Sequence, residues 1–186
     1  MNFYGPKELG AAFRTVRNNT IAVAQDIPED KYDFQPAPGS RTIAQTLLHM
    51  NFAPSLALRI HRDDRRHNMD GFDFPSFLKK AQAAEQGTHS KAEIIETLRT
   101  TGDEVAGWLE SLTDDFLAEI VTFPAGMQPP TKTRFEMLLG LKEHEMHHRG
   151  QLMMMERMVG VVPHLTRQMQ ERIAAMQAQA AAKAGA

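Results

Sequence analysis

Residues 133–160 have the sequence TRFEMLLGLKEHEMHHRGQLMMMERMVG, and this stretch carries most of the evidence for the fold. Thr133 and Glu136 have the spacing of a capping box, in which each side chain accepts a hydrogen bond from the backbone of the other residue. Gly160, with Pro163 just beyond it, favours the end of a helix. We therefore predict one long helix that begins after Thr133, ends before Gly160 and carries a cluster of histidines.

The helix contains three histidines within five positions, His144, His147 and His148. At about 100° per residue, His148 lies about 40° from His144, whereas His147 lies about 60° away on the other side. The same wheel places an apolar stripe between roughly +20° and +60° of His144. This stripe consists of Met137, Leu141, Met155 and Val159. We therefore predict that His144 and His148 face the core as a pair that can bind one metal ion.

Two polar residues of the same helix lie near this pair. Gln151 falls about 20° from His144, where its amide is expected to form a hydrogen bond with a ligand imidazole. Glu145 falls about 100° from His144, on the flank of the site, and is considered only as a candidate for a general base.

Another histidine occurs in an earlier helical segment, which starts near Thr42. His49 shares a row of this helix with Thr46, Ala53 and Ile60. Helix bundles build metal sites from side chains on facing helices, so His49 is expected to meet His144 and His148 across the core. Gln45, one turn before His49, is the second candidate for a hydrogen bond to a ligand imidazole.

Hydrophobic spacing and helix-start signals predict four long helices and no confident strand. The helices are expected over residues 6–26, 42–61, 90–112 and 133–159, and residues 71–84 are expected to form an additional short helix. Pro54 is expected to kink the second long helix because it lacks a backbone donor. This pattern predicts an all-α four-helix bundle domain over residues 1–163. The Ala- and Gln-rich stretch 164–186 is predicted to be an extra helical tail that frays into disorder.

Composition narrows the class of protein. The 186 residues include no cysteine, which excludes disulfides, thiolate metal ligands and a cysteine nucleophile. A net charge of −2 and a pI near 6.4 give no electrostatic reason to expect nucleic-acid binding. The N-terminal sequence does not match a signal peptide, and no apolar run approaches the roughly 20 residues that span a bilayer. We therefore expect a cytoplasmic protein with neither a nucleic-acid nor a membrane partner.

The segment HEMHH also matches H-E-x-x-H, the zinc-peptidase motif in which the glutamate, here Glu145, is the general base. The longer form of that motif needs glycine at position 151 and histidine at position 154, whereas the chain has Gln151 and Met154. Glu156 and Glu171 are the candidates for a third ligand in the other peptidase type. The spacing therefore leaves a zinc peptidase as an alternative.

The chain resembles the DinB-like (DinB/YfiT-type) superfamily of metal-dependent enzymes over roughly residues 5–163. One part of the resemblance is residues 27–50, IPEDKYDFQPAPGSRTIAQTLLHM, a loop followed by a helix that carries a histidine near its end. A second part is residues 144–163, HEMHHRGQLMMMERMVGVVP, with an H-x-x-x-H-R-G-Q core. The N-terminal helix-forming segment is the third.

The resemblance implies a four-helix bundle in which three histidines hold a zinc or nickel ion and water takes the open positions. The corresponding residues here are His49, His144 and His148. It also implies a homodimer and an activity like that of thiol-dependent S-transferases and isomerases, which use low-molecular-weight thiols. Beyond the three histidines, no substrate-binding motif matches.

We therefore expect a divalent-metal-dependent enzyme that acts on a small molecule, by hydrolysis or by thiol S-transfer. Three neutral imidazoles with an open position are the usual catalytic arrangement, whereas a structural zinc site is closed by four protein ligands. The alternatives are the zinc peptidase and a non-catalytic metal-binding bundle that dimerises through an apolar helix face.

Overall fold

The long helix expected after Thr133 is the longest element of the bundle, α7 at Arg134–Met158. A computed structural model describes residues 4–184. The other helices are α1 (Pro6–Asp26), α2 (Ile43–His49), α3 (Phe52–Ala57), α4 (Phe74–Glu85), α5 (Lys91–Glu110), α6 (Asp114–Ala118) and α8 (His164–Ala184). The α2–α3 pair packs with α1, α5 and α7 around the core, which confirms the predicted all-α bundle. The predicted limits of α1 and the predicted short helix, α4, are also confirmed.

The second predicted helix is broken rather than kinked. α2 ends at His49, and after a two-residue turn α3 leads into a π-helix at Leu58–Asp63. Pro54 has no N–H, so the carbonyl of Met50 lacks its helical donor. That carbonyl instead accepts a hydrogen bond from Arg17 Nη2 at 3.3 Å. The break therefore leaves His49 at the end of a helix, beside a turn that another helix stabilises.

The prediction of no strand is wrong, because β1 (Ile120–Thr122) and β2 (Thr131–Thr133) form an antiparallel pair. Strands of three residues are too short for an alternating pattern to reveal. The second strand leads directly into the predicted capping box. Thr133 N donates to Glu136 Oε2 at 2.7 Å, and Glu136 N donates to Thr133 Oγ1 at 3.1 Å.

A buried ion pair crosses the middle of the bundle. Arg17 on α1 and Glu145 on α7 are 2% and 1% exposed, and Arg17 Nη2 lies 2.9 Å from Glu145 Oε2. Arg17 Nε donates to the same carboxylate oxygen at 3.0 Å. Its Nη1 donates to Asn51 Oδ1 at 3.0 Å and to the Leu98 carbonyl at 3.1 Å. One guanidinium thus joins α1, α5, α7 and the turn between α2 and α3.

Apolar clusters lie on both sides of this ion pair. Members of the first include Ile21, Ile43, Leu98 and Leu152, and members of the second include Phe13, Leu58, Val105 and Leu141. Gly102 on α5 gives the guanidinium its path between them, because a Cβ at this position would lie 2.6 Å from Arg17 Cγ. The charged layer therefore depends on a close approach of α1 to α5.

The buried face of α7 is centred about 80° from His144, not near the predicted 40°. It consists of Arg134, Leu138, Leu141, Glu145, His148, Leu152, Met155 and Glu156. The prediction used apolar residues alone and so did not count the three buried charged side chains. As a consequence, Glu145 lies within the core rather than on the flank of the site, and His144 lies at the edge of the buried face.

The first two turns of α8 anchor it to α1. His164 Nε2 and Asn19 Oδ1 are 3.2 Å apart, and Arg167 Nη2 lies 2.7 Å from Asp26 Oδ2. Residues 168–184 are exposed and helical, and the predicted fraying beyond them falls outside the described residues. A domain boundary near residue 163 stays a prediction. No helix within residues 4–184 has both the length and the apolar character needed to cross a membrane.

Glu156 on α7 is fully buried, and neither of its carboxylate oxygens has a hydrogen-bond partner among the described residues. Burial raises the pKa of Glu156 to about 7, and the nearby Asp26 carboxylate contributes to the rise. The chain therefore holds a carboxyl group that is stable in the bundle mainly in its protonated form.

Glu145→Gln is expected to lower the free energy of unfolding by about 3–5 kcal/mol, because it leaves the Arg17 guanidinium buried without its counter-charge. Urea denaturation monitored by circular dichroism measures the change. The matched control is Asp103→Asn, which removes one of the two carboxylates that pair with the exposed Arg14. That substitution should cost less than about 1 kcal/mol. Equal losses in the two variants would contradict the structural role of the buried pair.

Glu156→Gln is expected to raise the Tm at pH 7.5 by about 5 °C and to have a small effect near pH 4.5. The folded-state pKa, about 7, is higher than the ordinary value of 4.5. Stability from the protonated carboxyl is therefore complete below pH 4.5, is lost as the pH rises to about 7, and is constant above that. Thermal melts of both proteins across this range give the difference. The exposed Glu171→Gln serves as control, and a pH-independent difference for Glu156→Gln would refute the assignment.

Candidate metal centre

Three histidines from two elements of the bundle converge at the edge of the core. His49 is the last residue of α2, and His144 and His148 lie one turn apart on α7. One ring nitrogen from each residue lies within 4.8 Å of the others. The Nε2 atoms of His49 and His144 are 3.3 Å apart. Two imidazoles bound to tetrahedral zinc at about 2.0–2.1 Å have nitrogens roughly 3.4 Å apart, so this separation suits one ion.

A buried carboxylate orients His49. Its Nδ1 lies 2.6 Å from Oε1 of Glu85, the last residue of α4, which is 6% exposed. The second oxygen of Glu85 accepts a hydrogen bond from Arg41 Nε at 2.8 Å. A carboxylate can only accept here, so the proton of a neutral imidazole resides on Nδ1. The lone pair of His49 Nε2 therefore points away from Glu85, towards the other two histidines.

An amide orients His148 in the same way. His148 Nδ1 donates to Gln151 Oε1 at 2.8 Å, and Gln151 Nε2 donates to His147 Nε2 at 3.1 Å. With its proton on Nδ1, His148 has a free lone pair on Nε2. His147 thus contributes by fixing the Gln151 amide and lies outside the group of three converging histidines.

His144 has fewer polar partners than the other two. Its Nδ1 is buried and makes no hydrogen bond within residues 4–184. Burial lowers the pKa of His144 to about 4, and the neighbouring His148 and His49 add to this effect. The pKa of His148 is also lowered by burial. Both imidazoles are consequently neutral at pH 7, the protonation state that binds metal.

Aromatic side chains close one side of the cluster. Phe52, in the first turn of α3, lies nearly parallel to the His49 ring at a centroid distance of 5.7 Å and an angle of 7°. Phe77 of α4 meets Phe52 edge-on at 5.6 Å. This apolar wall shields the histidines from water on one side. A ligand can therefore reach them only from the remaining sides.

A cavity of about 1130 Å³ opens beside His148. Its walls come from α2, α4, α7 and the loop over residues 36–41. The lining residues are Pro36, Gly39, Ser40, Arg41, Gln45, Thr46, Lys79, Gln82, Ala83, Glu85, Gln86, His147, His148, Gln151, Met154, Met155 and Met158. A small molecule can therefore lie next to the histidine cluster.

The two predicted orienting amides have different positions. Gln151 hydrogen-bonds His148, whereas Gln45 forms no hydrogen bond with a histidine within residues 4–184. Gln45 Oε1 instead accepts from Thr42 N at 3.0 Å, which completes a capping box at the start of α2, and its Nε2 donates to Gln86. The spacing of Thr42 and Gln45 matches a capping box, so it is the sequence signal that could have predicted the capping role of Gln45.

Glu85 and Arg41 were not found by sequence analysis. Glu85 is 36 residues from His49 in the chain, and no periodicity or motif distinguishes it from the exposed glutamates. Glu145, the candidate general base, is held in the ion pair with Arg17 and is 1% exposed. Its position gives no support to the zinc-peptidase alternative, in which this carboxylate would have to reach the reacting water.

The sequence matches the DinB superfamily over residues 12–152. Because this match spans well over half of the chain, the protein belongs to the DinB superfamily. A search of curated proteins found no match.

Solved structures show the same fold. A DinB-like protein from Bacillus subtilis is 22% identical with a TM-score of 0.60, covering 82% of this chain and 92% of its own. The sibling lethal factor precursor DfsB is 13% identical with a TM-score of 0.65, covering 87% of this chain and 100% of its own. An uncharacterised protein from Clostridium difficile 630 is 16% identical with a TM-score of 0.67, covering 86% and 99%. At these identities the similarity establishes the fold alone.

Glu85→Gln is expected to weaken Zn²⁺ binding by about 10–100-fold, because a carboxylate partner makes His49 a better ligand and fixes its orientation. Competition with a chromophoric chelator measures the affinity. Gln86→Ala is the matched control, since Gln86 lines the same cavity but hydrogen-bonds Gln45 rather than a histidine. An unchanged affinity in Glu85→Gln, with the fold intact by circular dichroism, would exclude this role of the carboxylate.

Proposed function

We propose that this protein is a divalent-metal-dependent enzyme in which His49, His144 and His148 hold the ion. The proposal includes a small-molecule substrate and a reaction by hydrolysis or thiol S-transfer. The observation that supports it most strongly is the convergence of three imidazole nitrogens beside a cavity of about 1130 Å³.

The residues present suit such an ion. Glu85 and Gln151 hold the protons of His49 and His148 on Nδ1, so both Nε2 atoms offer lone pairs to a common point. Imidazole donors suit zinc and nickel, and we propose one of these two metals. Three protein ligands leave a coordination position open, whereas a purely structural site would use four.

The side chains around the ion have separate tasks. A divalent metal with an open position supplies Lewis-acid chemistry, lowering the pKa of a water or thiol that binds to it. Glu85 and Gln151 orient the ligand rings, and Phe52 excludes water from one side. The cavity beside His148 has room for a substrate, which favours an enzyme over a non-catalytic metal-binding bundle.

Other expectations from the sequence stay predictions. They are the homodimer, the low-molecular-weight thiol as a reactant and the cytoplasmic location.

Metal content tests the ligand set directly. Untagged protein purified without added metal is expected to contain about one zinc or nickel ion per chain by elemental mass spectrometry. His49→Ala, His144→Ala and His148→Ala should each lose the metal. His147→Ala is the matched control and should retain it, because His147 contacts Gln151 and stands outside the group of three.

Two outcomes would contradict the proposal. A wild-type protein that binds no metal even after reconstitution has no such site, and metal retained in His49→Ala shows that His49 is not a ligand. If the ligand set is confirmed, hydrolase and thiol-transfer substrates are screened with His148→Ala as the inactive control. Activity that persists in this variant would refute the catalytic role of the metal.

A further inference from the structure

The charges that line the cavity beside His148 are unbalanced. Its fixed cations are Arg41 and Lys79, and its single carboxylate is Glu85. Both oxygens of Glu85 are occupied, one by His49 and the other by Arg41. The lining therefore offers positive charge to a ligand and no free acceptor carboxylate.

Arg41 is held in place while most of its donors stay available. Nε donates to Glu85 at 2.8 Å, and Nη1 and Nη2 make no hydrogen bond with any residue from 4 to 184. The side chain is 38% exposed. A guanidinium fixed through Nε presents its remaining N–H groups in a geometry that suits a carboxylate or phosphate.

Lys79 adds a second cation from another wall of the cavity. It lies on α4, six residues before Glu85, and forms no ion pair within the described part of the chain. Its neighbour Lys80 is also exposed but does not line the cavity. The two lysines therefore lie on the same helix and carry the same charge, but only Lys79 can contact a ligand in the cavity.

The wall formed by the last two turns of α7 is apolar. Met154, Met155 and Met158 line the cavity, and Met154 and Met158 are 59% and 52% exposed. Methionine side chains are flexible and polarisable, so they adapt to apolar groups of different shape. Exposed methionines at this position provide a surface that a hydrocarbon portion of a ligand would cover.

We propose that the substrate is a small organic anion whose carboxylate or phosphate group binds Arg41 and Lys79 and whose apolar portion packs on Met154, Met155 and Met158. This inference rests on the proposed function, because the same cavity adjoins the candidate metal centre. The positive charge of a bound divalent ion would further favour an anionic substrate over a neutral one.

The test uses the full chain after treatment with a chelator, so that an anion cannot bind through a metal. Isothermal titration calorimetry compares hexanoate and hexyl phosphate with the neutral hexanamide. At least one of the two anions is expected to bind about tenfold more tightly than hexanamide. Its affinity is expected to fall as the NaCl concentration increases. The anion that binds more tightly identifies the head group.

A pair of neighbouring variants isolates the cavity. Lys79→Gln is expected to weaken binding of the preferred anion about fivefold and to leave hexanamide binding unchanged. Lys80→Gln, which changes the net charge equally, should leave both unchanged. The proposal is overturned if hexanamide binds as tightly as the anions, if neither anion binds, or if the two lysine variants have equal effects.

Metal content measured on the same protein before chelation separates this proposal from the previous one. Anion binding that depends on Lys79, in a protein that binds no metal even after reconstitution, would support the anion site and refute the metal-dependent enzyme. One metal ion per chain without a preference for anions would support the metal-dependent enzyme and refute the anion site.

Discussion

The buried ion pair between Arg17 and Glu145 constrains the rest of the bundle. A guanidinium at 2% exposure is stable beside its carboxylate partner only if its remaining donors are also satisfied. Arg17 meets this requirement by reaching the Leu98 carbonyl on α5 and the turn between α2 and α3. The need to pair these charges therefore sets how four helices approach one another.

The same pair positions both halves of the candidate metal centre. Glu145 directly follows His144 on α7, and Met50, whose carbonyl accepts from Arg17, directly follows His49 at the end of α2. Holding Glu145 towards α1 rotates α7 so that His144 and His148 lie at the edge of the core. Binding the Met50 carbonyl keeps His49 at a helix end that faces them. A buried charge interaction outside the group of three histidines thus contributes to their geometry.

A second group of charged side chains lies on the outer side of the histidines. Glu85 connects α4 to His49, and Arg41 connects the loop over residues 36–41 to Glu85. These residues fix a ring orientation and at the same time form a wall of the cavity. The orientation of His49 and the lining of the cavity are therefore coupled through a single carboxylate. This arrangement gives the short helix α4 a function that its weak sequence pattern does not suggest.

Local patterns were sufficient for the long helices other than the one broken near Pro54, and for the two histidines on α7. Capping at Thr133 and periodic apolar residues depend on neighbours within one or two turns, so they can be recognised without knowing the fold. The position of His49 relative to α7 followed from the resemblance and from bundle packing. The hairpin and the break near Pro54 were harder to predict, because three-residue strands carry no period and a proline fixes where a donor is lost but not what replaces it.

The sequence by itself thus determined the bundle class, the limits of its longest helices and the histidines that come together. Only the tertiary structure decided where the charged side chains point. Arg17 and Glu145 are 128 residues apart, and His49 and Glu85 are 36 residues apart. A buried charge is stabilised by a partner on another helix. It therefore leaves no periodic signal in the sequence of the helix that carries it. For that reason the wheel placed Glu145 beside the histidines, whereas pairing with Arg17 draws it into the core.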